Sequence, residues 1–390
     1  VKISIIGPTY PYRGGIAHYT TLLVKHLLAA GHHVKLYSYT RQYPQFLFPG
    51  KSDKDPSNTT LRVPCEYIVD PINPLSWWRV YRRIRRDAPD LLILQWWVPY
   101  WTPSLAAISY LIKHRTKIKL VYICHNVTPH EESGTIDHRL AWVVLKRGDA
   151  FIVHSEQDRR KLCALLPNPL VQRVNLPTYE VFQQLTKEHK IEPHLRTTLG
   201  LDGKQVLLFF GFVRPYKGLE YLIQALPFVR EKLPNIHLLI VGEFWSSKQS
   251  YLRYAANAGV SELLTIVDQY VPNEELDDYF TTADVVVLPY VSATQSAVVQ
   301  LAFGFGKPVI TTRVGGLHEV VQDGVNGLVV PPQDEEALAG AIVRFFEEAL
   351  NDSMQLQIAN ERQAGRFGWH EIVSAVEDIE RQVHDTQSLK

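Results

Sequence analysis

Short apolar runs alternate along the whole chain with longer stretches whose apolar positions return every three or four residues. Apolar runs bounded by turn residues read as buried strands, and the 3.6-residue period reads as amphipathic helix. The pattern predicts strands over residues 2–7, 33–39, 91–95, 119–125 and 150–155 in the first half. In the second half it predicts them over 205–211, 237–242, 264–267, 284–289, 308–312 and 327–330. Strands that alternate with helices imply parallel sheets with helices on both faces, an α/β architecture. The alternation breaks near 175–201, where Leu176-Pro177-Thr178-Tyr179 precedes a polar helical stretch. Two doubly wound domains are therefore expected, at 1–180 and 181–367, with 181–204 as a linker region. Residues 368–390 are expected to form a closing helix and tail that pack back towards the first domain.

Two strand-to-helix turns in the second half carry most of the chemical information. Residues 209–225 read FFGFVRPYKGLEYLIQA and residues 290–316 read YVSATQSAVVQLAFGFGKPVITTRVGG. In an open α/β sheet such turns face the ligand crevice, and a helix N-terminus offers unpaired N–H groups to an anion. Arg214 and Lys217 bring two cations to the first turn, which suits a diphosphate. Thr294, Gln295, Ser296 and Ala297 open the second helix with small and hydroxylated groups. They suit a second grip on phosphate or sugar, or an ordinary helix cap.

At 390 residues the chain can bury two cores of ordinary size. A hydrophobic fraction of 46% with 21% charge is that of a water-soluble globular protein, and no apolar run has spanning length. The opening VKISIIG reads as a strand rather than a signal peptide. Cys65, Cys124 and Cys163 lack metal-ligand spacing and suit a reducing compartment, so the cytoplasm is expected. The net charge of +1 conceals an asymmetry. Residues 1–180 hold 24 Lys and Arg against 13 Asp and Glu, and the remainder holds 17 against 27. The first half also carries six of the eight tryptophans, Trp77, Trp78, Trp96, Trp97, Trp101 and Trp142. Two surfaces with different partners follow from this split.

The first predicted strand runs into Gly14-Gly15 before a helix near Ile16. Paired glycines there permit close backbone approach to a ligand or simply a tight turn. They do not form GxGxxG, so a nicotinamide cofactor loses support. Cys124-His125-Asn126 closes another strand, and Pro129-His130-Glu131-Glu132 follows. A histidine at a carboxyl strand edge can serve a sugar hydroxyl or an oxyanion, or be tied to a nearby carbonyl. Residues 51–60, KSDKDPSNTT, have the composition of a mobile loop.

Taken together and in order, these passages resemble the retaining glycosyltransferases of family 4, which have the GT-B fold. Gly14-Gly15 match the family's first glycine loop and His125 its active-site histidine. Phe210-Gly211 through Lys217-Gly218 resemble its G-R-L-x-x-x-K-G segment. Residues 304–309, Gly315-Gly316, Glu319 and Asp323-Gly324-Val325-Asn326-Gly327 follow its late signature. The resemblance implies two Rossmann-like doubly wound domains facing across a cleft, with a nucleotide-diphosphate sugar held mainly by the second. It implies a UDP-sugar co-substrate, no cofactor and no metal. Arg214, Lys217, Gly14, Gly15, Thr294, Gln295, Ser296 and Ala297 would hold diphosphate and sugar, and Tyr270, Val271 and Gln300 the base and ribose. His125 would bind a sugar hydroxyl, with Tyr10, Tyr12 and Asn126 towards the acceptor.

Two positions depart from the family. Phe212 stands where an arginine is usual, so Arg214 is expected to supply that charge from two positions later. The family's Glu-x7-Glu pair falls on Ala293 and Leu301, and Gln295 is the preferred substitute, with Gln300 and Thr294 as alternatives. The expected reaction transfers a hexose or N-acetylhexosamine, with retention, to a polysaccharide, oligosaccharide or lipid-linked acceptor. A non-catalytic sugar-nucleotide-binding subunit and a UDP-sugar epimerase are the competing readings. The basic stretches 77–86 and 113–119 suit anionic headgroups at the inner membrane face. Nucleic acid is not expected, because no recognised binding module accompanies the charge.

Overall fold

The structure, a computed structural model, describes residues 1–43, 50–58, 61–128, 134–187 and 195–388. The segment Pro129-His130-Glu131-Glu132, the end of the 51–60 loop and the middle of the linker region lie outside the described residues. Two compact units emerge. One comprises Val1–Asp55, Thr60–Asn175 and Gly368–Lys390, and the other comprises Pro56–Thr59 and Leu176–Phe367.

The first unit is built on seven strands: β1 (Lys2–Ile6), β2 (His33–Tyr39), β3 (Cys65–Val69), β4 (Leu91–Trp96), β5 (Lys119–Cys124), β6 (Ala150–Val153) and β7 (Val171–Arg173). Their order is β3-β2-β1-β4-β5-β6-β7, with every pairing parallel. The second has six, β8 (Gln205–Phe210), β9 (Ile236–Val241), β10 (Leu264–Val267), β11 (Val285–Leu288), β12 (Val309–Thr312) and β13 (Gly327–Val330). Their order is β10-β9-β8-β11-β12-β13, again all parallel. The apolar runs dictate this outcome: β4 and β9 are buried at every position, as strands covered on both faces must be.

Strand order reverses direction between β1 and β4 in one sheet and between β8 and β11 in the other. Ligand crevices in open α/β sheets form outside the carboxyl ends of strands at such reversals. The glycine loop after β1, His125 after β5, the Arg214 and Lys217 turn after β8 and the 290–297 turn after β11 all leave carboxyl strand ends.

Five helices matter in the first unit, α1 (Gly15–Ala29), α2 (Pro74–Asp87), α3 (Thr102–Arg115), α4 (Thr135–Leu145) and α5 (Glu156–Leu165). Asn73 caps α2 by accepting from Leu75 N at 3.0 Å, and Ser155 caps α5 through Asp158 N at 3.0 Å. In α2 the buried set Ser76, Val80, Tyr81 and Ile84 forms one helical face, which leaves Arg79, Arg82, Arg85 and Arg86 exposed.

Three features differ from the sequence expectation. Strands β3 and β7 were not expected, because both are short edge strands with mixed polarity and little apolar signal. The tryptophan wealth of the first half goes mainly inward. Trp96, Trp97 and Trp101 are buried, and Trp101 packs 4.2 Å from the Tyr39 ring and 5.1 Å from Trp97. Rings of this size bury roughly 150–250 Å² each, on the order of 4 kcal/mol or more of apolar transfer. Only Trp78 and Trp142 of those six are exposed. The described part of the 51–60 loop, expected to be mobile, is tied down. Asp55 N donates to Pro11 O at 2.8 Å and Arg13 N to Asp53 O at 3.1 Å. Ser57 Oγ accepts from Asn273 N at 2.8 Å, and Asn58 N donates to Glu274 at 2.8 Å.

The late signature is largely architectural. Asn326 is fully buried, accepts from Gln322 N at 2.8 Å and donates to Glu361 at 2.9 Å. A Cβ on Gly315 would collide with Ala293 O, which fixes how closely those two turns pack. Among the described residues no helix is long and apolar enough to cross a membrane.

Candidate active site

The second unit supplies a cationic strand-end site. Strand β8 is followed by Gly211 with φ +98°, a short helical turn covers Pro215–Lys217, and Gly218 adopts a left-handed φ of 66° before the helix Leu219–Lys232. Gly218 is required twice over, since a Cβ there would also strike Pro289 O at the end of β11. Val291 N donates to Tyr216 O at 2.8 Å and binds the two strand-end turns together.

Lys217 is buried at 8% exposure. A Cβ on Gly211 would lie 3.0 Å from its Nζ and 3.4 Å from Val298 Cγ2, so the ammonium stands beside the first turn of the helix Ala297–Gly304. The Tyr290 ring lies 5.3 Å from it, and no carboxylate among the described residues pairs with it. Burial pushes its pKa below the ordinary lysine value; Tyr216 opposes that shift and Arg214 adds to it. Arg214 sits over two aromatic faces, 5.2 Å from Tyr216 and 5.6 Å from Trp245. Two cations with a buried member facing a helix N-terminus make a site for an anion.

Ser296 caps that helix by accepting from Val298 N at 3.2 Å and lies 3.4 Å from the Tyr290 hydroxyl. The capping and ligand readings of Ser296 are therefore compatible. Thr294 is buried, and its carbonyl accepts from Gly316 N at 2.8 Å. Gln295 donates to Gly316 O at 3.5 Å. Phe212, in the place of the family arginine, stacks on Trp245 at 4.3 Å and lies 6.0 Å from Tyr270, after β10. Val271 is buried beside it in sequence. Gln300 is fully buried, and neither polar atom of its carboxamide meets a partner among the described residues.

The first unit supplies a neutral site. Gly14 has φ +104° and precedes α1, and a Cβ there would meet nothing within 4 Å. Gly15 is exposed. The open space at Gly14 contrasts with the crowding at Gly218, so this pair leaves room for a ligand. His125 N donates to Trp96 O at 2.8 Å, and its ring is half-buried, edge-on to Tyr19 at 4.8 Å and 5.6 Å from His154. Its Nε2 lies 2.6 Å from Gln95 Oε1. Burial, with His154 as a second cause, holds the His125 pKa well below the ordinary value. Burial lowers His154 to about 4 against the opposing bond of its Nδ1 to Val174 O at 2.9 Å. Both rings are neutral near pH 7.

Asn126 is half-buried next to His125. Tyr10 accepts on its carbonyl from the Tyr67 hydroxyl, and Arg62 lies 4.6 Å over its ring. Tyr12 requires correction as an acceptor-facing residue. It is 2% exposed, its hydroxyl donates to Tyr39 O at 2.8 Å, and Lys54 covers its ring at 3.7 Å. Aromatic residues in a loop of prolines gave no warning that one of them would turn into the core. Gln95 was missed altogether. Its signal is a lone carboxamide in an otherwise apolar strand, LLILQW.

Two family descriptions match the chain: Glycosyltransferase Family 4 over residues 13–173 and Glycosyl transferases group 1 over residues 204–348. The fold is that of a GT-B glycosyltransferase. The chain belongs to glycosyltransferase family 4, in a branch with Ala293 and Leu301 at the usual carboxylate positions. It is 23% identical over 375 residues to an uncharacterized glycosyltransferase of Methanocaldococcus jannaschii, covering 89% of this chain and 90% of that one. A D-inositol 3-phosphate glycosyltransferase of Streptomyces griseus is 30% identical over 194 residues, 47% of this chain and only 40% of the relative. Among solved structures, sucrose-phosphate synthase from Thermosynechococcus elongatus superposes with TM-score 0.73 at 20% identity, covering 99% of both chains. Anabaena Alr3699/HepE in complex with UDP-glucose gives 0.70 at 18% identity over the full length of both.

Proposed function

We propose that this glycosyltransferase moves a hexose or N-acetylhexosamine from a UDP-sugar to a glycan or lipid-linked acceptor, with retention and without a metal. The observation that carries the proposal is Lys217, a buried ammonium with no carboxylate partner among the described residues, set between Gly211 and the first turn of the helix Ala297–Gly304. With Arg214 on its aromatic shelf and the Ser296–Ala297 turn, it holds the donor diphosphate. As the anomeric C–O bond breaks, negative charge grows on the departing phosphate, and these fixed positive groups stabilise it. The acceptor oxygen bonds to the anomeric carbon on the face the phosphate leaves, and its proton passes to a phosphate oxygen. Gln295 takes over the sugar contact that a carboxylate makes elsewhere in the family. Support for uridine comes from the structural likeness to a protein seen with UDP-glucose.

A panel of nucleotide sugars tests this reading by thermal stabilisation, since a ligand at 100 times its Kd adds about 2.7 kcal/mol. UDP-sugars should raise the melting temperature, and the product of transfer should keep the donor's anomeric configuration by NMR. Stabilisation by GDP- or ADP-sugars instead would remove uridine, and an inverted product would remove the proposed attack. Donor hydrolysis or transfer separates this reading from a binding subunit, and a converted donor sugar without acceptor would identify an epimerase.

The acceptor side is proposed to work at an anionic membrane surface. Arg115 of α3 lies 5.9 Å over Trp78 of α2, Arg147 lies 5.6 Å over Tyr110 of α3, and Lys146 lies 3.8 Å over Trp142 of α4. These contacts join the exposed faces of three helices into one basic and aromatic surface, with Leu75 and Ile136 also exposed. Each cation near such a membrane contributes roughly 1 kcal/mol. The interleaved apolar side chains favour an interfacial location over nucleic acid.

A further inference from the structure

Strand β4 reads LLILQW, and its one polar side chain is fully buried. Burying a carboxamide is unfavourable unless both ends are bonded, and an unmade bond costs about 1–3 kcal/mol. Gln95 satisfies only its oxygen, on His125 Nε2 at 2.6 Å, while its Nε2 has no partner in the chain among the described residues. The backbone makes room for this arrangement. A Cβ at Gly7, on the end of the neighbouring strand, would lie 2.7 Å from Gln95 Cγ and 3.0 Å from Thr20, and Gly7 does not have a positive φ. Its lack of a side chain is a matter of space, and the occupant of that space is Gln95.

A carboxamide oxygen only accepts, so His125 Nε2 must carry the proton and Nδ1 the lone pair. The neighbouring His154 is fixed the other way, since its Nδ1 faces Val174 O and must donate. Tyr19 stands edge-on to both rings, 4.8 Å from His125 and 5.3 Å from His154, and restricts their tilt. Two adjacent neutral imidazoles are thus held in opposite tautomers by two different acceptors.

We propose that Gln95 is a positioning residue that locks His125 in its Nε2–H tautomer, so that Nδ1 is the ring's acceptor for a substrate hydroxyl proton. The hydroxyl rests on the glycosyltransferase reading of the site; the tautomer lock does not.

The test is two-bond proton–nitrogen correlation on the full chain labelled with 15N-histidine, in the native protein and in Gln95→Leu and Gln95→Glu. The native spectrum should show His125 as Nε2–H and His154 as Nδ1–H. Gln95→Leu should shift His125 to a mixture or to Nδ1–H and leave His154 unchanged, which also certifies the fold. Gln95→Glu, close in shape, should keep Nε2–H and move the His125 titration upward by more than one pH unit. With a turned-over UDP-sugar, Gln95→Leu should lower kcat at least about tenfold with donor KM within twofold, because a wrong tautomer impairs chemistry more than binding. Gln95→Glu should restore the tautomer pattern. A native His125 in the Nδ1–H form, or an unchanged tautomer in Gln95→Leu, would overturn the proposal. Absence of turnover with the tautomer shift intact would instead count against the glycosyltransferase reading alone.

Discussion

The two strand-end sites sit on the same kind of sheet and at the same kind of reversal in strand order, yet their chemistry is opposite. In the second unit Lys217 brings positive charge beside a helix N-terminus, and Arg214 adds a second cation from its aromatic shelf in the same turn. In the first unit the buried His154 and the half-buried His125 are both neutral, framed by Tyr19 and Gln95. Topology settles where a ligand can be met, and the side chains at that place settle which part of it is met. On the proposed function, a charged diphosphate belongs with the first kind of site and a sugar hydroxyl with the second.

The glycines give the sharpest way to break the comparison. Gly218→Ala meets both a left-handed φ and the Pro289 carbonyl, and should destabilise the protein by about 3 kcal/mol or more. Gly14→Ala meets only an unfavourable φ with open space around it, and should cost about 1–2 kcal/mol. Denaturant titration checks both, and equal effects would mean that the two loops are not packed so differently.

Next in size is a split between binding and turnover. Lys217→Ala should weaken UDP binding at least about tenfold by calorimetry, or roughly 1.4 kcal/mol. His125→Ala should leave UDP affinity within about twofold and reduce transfer on the order of 100-fold. Unchanged UDP affinity in the lysine variant would remove Lys217 from the site.

Acid should distinguish the sites as well. His125 and His154 have folded pKa values below the ordinary 6.5, so the unfolded chain binds protons first. Their stabilisation is present above about pH 6.5 and is lost as pH falls towards the His154 value of about 4. The melting temperature should therefore fall over that interval. His154→Asn, which keeps a donor for Val174 O, should flatten part of the fall; an unaltered slope would show that His154 is not buried neutral.

The smallest effect concerns the α2–α3–α4 face. Liposomes containing anionic lipid should bind the protein in a salt-sensitive way, and Trp78→Ser with Trp142→Ser should weaken binding a few-fold. Equal binding to neutral vesicles, or none to either, would retire the membrane proposal.

Much of this was legible before any coordinates. The apolar runs located both sheets, because parallel strands covered on two faces leave a strong local signal. The Arg214 and Lys217 turn and the Ser296 cap were legible for a related reason: a strand, a glycine and a helix start fix such a loop locally. Strands β3 and β7 were not, since edge strands pair through the backbone and need little apolar sequence. Tyr12 was misplaced and Gln95 was overlooked because each has its meaning across the sheet, on Tyr39 and on His125.

The sequence by itself determined the parallel α/β plan, the cationic turn and the charge difference between halves. Each depends on residues close together in the chain. Only the tertiary structure decided that Trp96, Trp97 and Trp101 form core while Trp78 and Trp142 stay outside. It also decided that Lys217 faces the helix Ala297–Gly304 and that Gln95 meets His125 over the space left by Gly7. Those pairings join segments far apart in the chain, and their energies depend on distance and burial, which no local pattern encodes.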